Sequence, residues 1–368
     1  MATFSIDDLT ALSTAALRAH GAAEKAARIT AKYLVAADAQ GLGTHGVARV
    51  PTYCDHLKNG RARGDAVPRI VNEKAAACLI DAGYGLGFEP TEFALKEAIE
   101  RAAAHGVSFV GVTHSHHCGA LGLLLEPVAG RGMVGIAFSN APSAIMAWGG
   151  TKPMFGTNPI AAIFPRKGWR EDSLTAEPAA RGQRARGLAS TPDRSANQEW
   201  RGAPLVIDMS LTQVTRGQIL LYKNAGKPIP EGWGMDKDGK PTTDAHKILV
   251  GGSLHAVGGL KGTMLAFAVE ILCCALMGAS LSHEVEPMLV ANGKPMDLGQ
   301  AFLVVDPGAL AGRDRYLERV ETLISAMLED EGVRLPGERR VEELARATRE
   351  GIEISSELAQ ELKMLAGT

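Results

Sequence analysis

Along residues 5–20 and 22–40 apolar side chains recur at three- and four-residue intervals, which places them on one face of a helix. Ser5, with Asp8 three positions on, resembles a capping box opening the first of these helices. The run HGVARVPTYCDHLKNGR, 45–61, predicts a third helix, bent or started near Pro51. From about residue 69 the texture changes. AAACLIDA, GVSFVGVT, VGIAFSN, NPIAAIFP and APLVIDMS are short apolar runs that predict strands. Helical patterns at 89–105 and about 119–130 lie among them, and charged helices return from 310, interrupted by VRLPGERR. Strands mixed with helices predict an α/β or α+β architecture.

Two segments break the pattern. Residues 168–202 are rich in Ala, Arg, Ser and Pro and poor in aliphatic residues, so they read as a surface insertion. Residues 223–244 form a long, turn-rich loop. Its DKDG hints at calcium, but the Glu that closes such a loop is missing, and a plain turn is expected.

Composition narrows the function. The 368 residues suffice for a large core and two domains. A net charge of -2, without a basic stripe interleaved with aromatics, gives no footprint for nucleic acid. A small anionic metabolite needs only a local positive pocket. The five cysteines, Cys54, Cys78, Cys118, Cys273 and Cys274, are odd in number and form no C-x-x-C, as in a reduced cytoplasmic protein. The N-terminus lacks an apolar signal core. The apolar stretch 263–281 is long enough to span a bilayer, but Glu270 in its middle predicts a buried or interface helix instead.

CLIDAGYGLGFEPTEFALKEA tempts as a dinucleotide fingerprint. Its glycines, Gly83, Gly85 and Gly87, read G-x-G-x-G rather than G-x-G-x-x-G, and the next strand ends in His114 rather than an acid. An ordinary Rossmann site is not expected.

His45 and Arg49 are four apart, hence on one face if helical. An arginine fork grips a carboxylate, and an imidazole beside it exchanges a proton at the neighbouring oxygen. The plainer alternative is a helix start capped by Thr44. Asp208 ends an apolar strand, where it can orient a histidine or merely cap a turn. In HSHHCG, His116 and His117 diverge if extended, and no remote ligand set completes a zinc site, so no metal is expected. One histidine facing a site, with a glycine letting a cofactor approach, is the alternative. Thr157 and Asn158 in FGTNPIA either contact a ligand or close a turn. Lys261 in GGLKG sits at a helix start suited to an anion, or is simply solvated.

Taken together, ADAQGLGTHGVARVP, SHHCGAL, GTNPIA, LVIDMS, IPEGWGMDKDGKPTTD, GGLKG and RLPGERR occur in an order that resembles one family. It is the type-2 malate/L-lactate dehydrogenases, which include sulfolactate and ureidoglycolate dehydrogenases and piperideine/pyrroline-2-carboxylate reductases. The likeness spans nearly the whole chain outside 168–202. It implies a non-Rossmann, NAD- or NADP-dependent oxidoreductase with a central mixed sheet, acting as a homodimer. A helical, substrate-side domain is expected from 1–70 with 306–368, and a cofactor-binding sheet domain from 71–305. By motif, His45 corresponds to the proton donor, Asp208 to a relay carboxylate, and Thr44 stands where the reductases have Ser. Arg49 and Thr157 correspond to substrate contacts. His117, Cys118, Gly119, Ala120, Leu121, Asn140, Ile207, Lys261 and Arg339 correspond to cofactor contacts. In the ureidoglycolate branch the residue at His117 has the acid/base role, so two histidines compete, with His45 favoured. Gln218 replaces a common Lys, Thr263 a common Tyr, and Cys118 a common Phe or Ser.

The implied reaction is hydride transfer between nicotinamide C4 and C2 of a small 2-oxo or 2-imino acid, with NADP slightly favoured over NAD by the local arginines. Arg49 fixes the carboxylate and His45, oriented by Asp208, gives the proton. A zinc hydrolase and a non-catalytic nucleotide-binding relative are the competing classes.

Overall fold

A computed structural model describes residues 1–167 and 203–368; the 168–202 segment lies outside them. Seven strands form the main sheet: β2 (Arg69–Lys74), β3 (Ala77–Asp81), β4 (Val107–Ser115), β5 (Val134–Ser139), β8 (Ile160–Phe164), β9 (Leu205–Met209) and β12 (Leu298–Val305). Their order is β2-β3-β4-β12-β5-β8-β9. Only β3 and β4 pair in parallel, joined by the crossover helix Phe88–His105; the other neighbours are antiparallel. The sheet is mixed, as expected.

A four-stranded sheet forms a small lobe from β6 (Ile145–Met146), β7 (Pro153–Phe155), β10 (Gly234–Met235) and β11 (Ser253–Leu254). In it, Asp236 closes DKDG by accepting from the Asp238 and Lys240 amides, an ordinary turn.

The two ends of the chain meet. β1 (Ala2–Phe4) pairs antiparallel with β13 (Ile352–Ile354), and helix Ile6–Ala19 packs against helix Ser356–Ala366. Ser5 caps the first helix by accepting from the Asp8 amide at 3.0 Å. Helices Ile6–Ala19 and Glu24–Ala39 bury Leu9, Leu17, Ile29 and Leu34 in one continuous core with Ile80, Val110 and Phe302 of the sheet. Helix and sheet therefore share a single apolar interior, and the loops between them lie at fixed positions.

Within 263–281 the chain runs as helix Leu260–Glu270 and then a π-helical turn, Ile271–Ala275. Glu270 is 3% exposed and accepts from Asn158 Nδ2 and the Ser282 hydroxyl. Among the described residues no helix is long and apolar enough to cross a membrane.

The G-x-G-x-G turn serves packing. A Cβ at Gly87 would collide with the His116 carbonyl, so the glycine lets helix Phe88–His105 start against the 116–117 backbone.

Candidate active site

The third helix starts near Pro51, one of the two forms expected, and the residues of the first motif before it are not α-helical. The chain makes two 3-10 turns, Gly43–His45 and Val47–Arg49, and the α-helix begins at Val50 with Pro51 in its first turn. Gly46 between them is extended, at φ −92° and ψ −156°. Asp38, near the end of the preceding helix, explains this break. Its carboxylate accepts from the Val47 amide at 2.7 Å, and a Cβ on Gly46 would overlap that carboxylate. His45 and Arg49 are therefore not stacked by helical spacing. They meet because Arg49 folds back, its Nε donating to the Thr44 carbonyl at 2.8 Å. The Thr44 hydroxyl lies 3.0 Å from His45 Nδ1. The start of helix Arg216–Asn224 closes over Thr44, where a Cβ on Gly217 would come within 3.2 Å of its methyl.

The second motif leaves β4 and divides its histidines. His116 is fully buried and bonds His56 across 2.8 Å. His117 turns the other way and lies parallel to His45, the ring centroids 5.7 Å apart and the planes at 19°. Among the described residues no three His, Cys, Asp or Glu side chains converge on a metal position. Gly119 has φ +78°, and a Cβ there would meet the Phe88 ring at 2.8 Å. The Cys118 thiol is buried beside Thr91, and burial pushes it up to about 12, so it is no reactive thiol.

Asp208 on β9 faces this loop. It accepts from the Gly122 amide at 3.0 Å and pairs with Arg340 at 3.1 Å. Both bonds fall on Oδ2, and the charge of Asp208 acts on the His45 imidazole, raising its pKa. The two adjacent arginines of the last motif point apart. Arg339 is exposed, while its neighbour Arg340 turns inward from helix Glu338–Glu350.

Other expected contacts scatter. Asn140 is buried, its amide donating to the Ser280 carbonyl and its oxygen accepting from the Gly299 amide, so it ties β5 to β12. Val206 and Asp208 face Gly122, which puts Ile207, 38% exposed, on the other side of the strand. Lys261 is exposed. Thr157 is half-buried, and its carbonyl accepts from Leu211. Thr263 is turned inward, its hydroxyl bonding the Gly259 carbonyl within the same helix, and Gln218 is exposed.

Electrostatics separate the two histidines. Burial lowers the pKa of His45, the Arg49 charge lowers it further, and Asp208 opposes both. His117 is driven well below its ordinary value by burial, then by His45 and Arg49. A charge on His45 or Arg49 thus disfavours a proton on His117.

The profile of the malate/L-lactate dehydrogenase family matches residues 4–174 and 194–363. The chain belongs to the malate/L-lactate dehydrogenase family. The part of this family member that the match passes over, 175–193, falls inside the expected insertion. The whole chain is 37% identical to (2R)-3-sulfolactate dehydrogenase (NADP(+)) of Chromohalobacter salexigens, over 98% of this chain and 97% of that one. It is 32% identical to a Delta(1)-pyrroline-2-carboxylate/Delta(1)-piperideine-2-carboxylate reductase of Pseudomonas putida, over 98% of this chain and 96% of the relative. Among solved structures it superposes on delta1-piperideine-2-carboxylate reductase of Pseudomonas syringae pvar. tomato, with TM-score 0.85, 30% identity, and 99% and 100% of the two chains covered. Sulfolactate dehydrogenase of Methanocaldococcus jannaschii gives TM-score 0.83 at 28% identity, with 100% and 97% covered. This member of the malate/L-lactate dehydrogenase family is an enzyme, a dehydrogenase or reductase.

Sequence reasoning missed Tyr53, Asp38, Arg340 and the His56–His116 pair. Helix phase separates Arg340 from Arg339, and the meeting of 53 with 117 is a long-range contact with no local signature.

Proposed function

We propose that the chain transfers a hydride between NAD(P)H and C2 of a small 2-oxo acid, giving the 2-hydroxy acid, or the reverse. The observation that carries this reading is the convergence of the stacked imidazoles, Arg49 and Asp208 beside the His117–Gly122 loop.

The residues there suit a nicotinamide cofactor. Gly119 is half-buried beside the Phe88 ring and Gly122 is buried against Val206, Arg340 and Asp208, so the two glycines let the His117–Gly122 loop pack closely onto the Asp208–Arg340 pair. Arg340 Nη1 is buried without a partner among the described residues, beside Gly122, a donor left for an anionic or carbonyl oxygen. His117, Gly119 and Arg340 would hold the cofactor, which is NAD or NADP, with NADP favoured by its naming in the sulfolactate relative. When bound, it supplies or accepts the hydride at C2.

The protein does the rest. Arg49 grips the substrate carboxylate with its fork and sets the C2 carbonyl against His45. His45 gives its proton to the oxygen as C2 becomes tetrahedral. Asp208 supports the imidazolium electrostatically, its charge tempered by Arg340. The Thr44 hydroxyl on Nδ1 orients the ring so that Nε2 serves the substrate. His117 remains neutral and lines the site as an N–H donor. Reduction of a cyclic 2-imino acid is the second reading. It is favoured by the reductase relatives and needs the same proton, delivered to nitrogen.

We assign the substrate side to the helical layer 1–70 with 306–368, and the cofactor side to 71–305. Leu260, Met264, Phe267 and Ile271, each 43–47% exposed, form one apolar stripe at helical spacing. We place the contact with a second copy there, and the protein in the cytoplasm.

A panel of malate, lactate, sulfolactate and their oxo forms, with cyclic imino acids, is assayed with both cofactors by nicotinamide absorbance. Turnover of one of them supports the reading. Binding of NADPH without turnover of any makes the chain a non-catalytic relative.

A further inference from the structure

Tyr53 lies on helix Val50–Lys58, fully buried, with its hydroxyl 2.6 Å from His117 Nδ1. The same nitrogen receives the Gly119 amide at 3.4 Å. An amide N–H can only donate, so Nδ1 is an acceptor and the neutral ring carries its proton on Nε2. The Tyr53 hydroxyl therefore donates as well.

The tyrosine is fixed from behind. Its ring meets Phe88 edge-on at 6.3 Å and His116 at 5.3 Å. His116 is in turn held by His56, whose Nε2 lies 3.1 Å from the Val290 carbonyl and 3.2 Å from Arg61 Nη1. Arg61, with no exposed surface, spans the same loop by donating to the Val290, Pro287 and Lys294 carbonyls. A buried charge satisfied by three carbonyls of one loop locks that loop and the imidazole against it. Tyr53 is thus held by packing on both sides of its ring.

From this we infer that Tyr53 is a positioning residue for the reaction: its hydroxyl holds His117 in the Nε2–H tautomer, with the ring parallel to His45, so that His117 offers a fixed N–H to the ligand rather than a lone pair. One imidazole is thereby committed to donating while its neighbour exchanges the proton. Nothing in this arrangement requires Tyr53 to touch substrate. The inference rests on the reading that His45, and not His117, moves the proton.

The test uses the full-length protein labelled with 15N-histidine, and Tyr53→Phe, which removes one oxygen and keeps the ring packing. In the unsubstituted protein His117 shows an unprotonated, hydrogen-bonded Nδ1. In Tyr53→Phe that resonance moves towards the free pyridine-type position or towards a tautomer mixture. An unmoved resonance overturns the inference, whatever the activity. In kinetics, Tyr53→Phe lowers kcat about tenfold, the effect of one hydrogen bond of ordinary strength. In a His117→Ala background it changes kcat by less than about twofold, because the two residues act as a unit. Equal losses in both backgrounds show a merely structural tyrosine and overturn the proposal. A full loss of proton transfer in His117→Ala with His45→Ala active would instead overturn the assignment of the acid, a separate result.

Discussion

Arg340 Nη2 lies 3.1 Å from Asp208 Oδ2, and the two side chains are 14% and 13% exposed. The pair, not the aspartate alone, faces His45. Its two charges act on the imidazole with opposite sign, Asp208 raising its pKa and Arg340 lowering it. Reduction needs the imidazolium, so its rate is full below the His45 pKa and falls as pH rises through it. Asp208→Asn removes the supporting charge and moves that fall to lower pH. Arg340→Met removes the opposing charge and moves it to higher pH. Arg339→Ala leaves it in place. The kcat–pH profiles of the three variants check this, and shifts of the same sign for Asp208 and Arg340 contradict it.

Arg49 presents a planar fork that a lysine cannot reproduce. Arg49→Lys raises KM for the oxo acid by about tenfold or more, the worth of one arm of a bidentate pair. Affinity for NAD(P)H stays within about twofold because Arg49 is not placed among its contacts. Fluorescence titration of the reduced cofactor and steady-state kinetics separate the two effects. A loss confined to cofactor binding would move Arg49 out of the substrate site.

Asp38 carries the turn beneath His45, and burial raises its pKa to about 6 despite the Val47 bond. A carboxyl raised in the folded state imposes no charge penalty below its unfolded pKa. The penalty grows as pH climbs through the folded value and is complete above it. Asp38→Asn keeps an acceptor for Val47 and removes the charge. It should stabilise the protein by about 1–3 kcal/mol at pH 8, with the gain vanishing near pH 4. Denaturant unfolding at the two pH values measures this; a gain independent of pH contradicts it.

Much of this was legible in the chain. Ser5 with Asp8 marks a real cap, and the apolar runs at 77–81, 107–115 and 205–209 are strands. Alternation at 116 and 117 foretold that the two imidazoles diverge, His116 inward onto His56 and His117 onto His45. The order of motifs gave the family. What failed did so for reasons of three dimensions. Helical periodicity cannot show that Asp38 reaches forward to break the chain at Gly46. A pair of adjacent arginines does not reveal which one turns inward until the helix that bears them is docked. No local pattern shows that Asn140, at a strand end, bonds Ser280 and Gly299 and so ties β5 to β12.

The account depends most on which imidazole moves the proton. The direct measurement is single-turnover reduction of the accepted oxo acid by prebound NADPH, in His45→Ala and in His117→Ala. Loss of the proton donor should slow His45→Ala by roughly 100- to 10,000-fold, with NADPH still bound. His117→Ala should slow by about tenfold, the worth of one hydrogen bond. Near-normal turnover in His45→Ala together with collapse in His117→Ala would contradict the account and give the proton to the other ring.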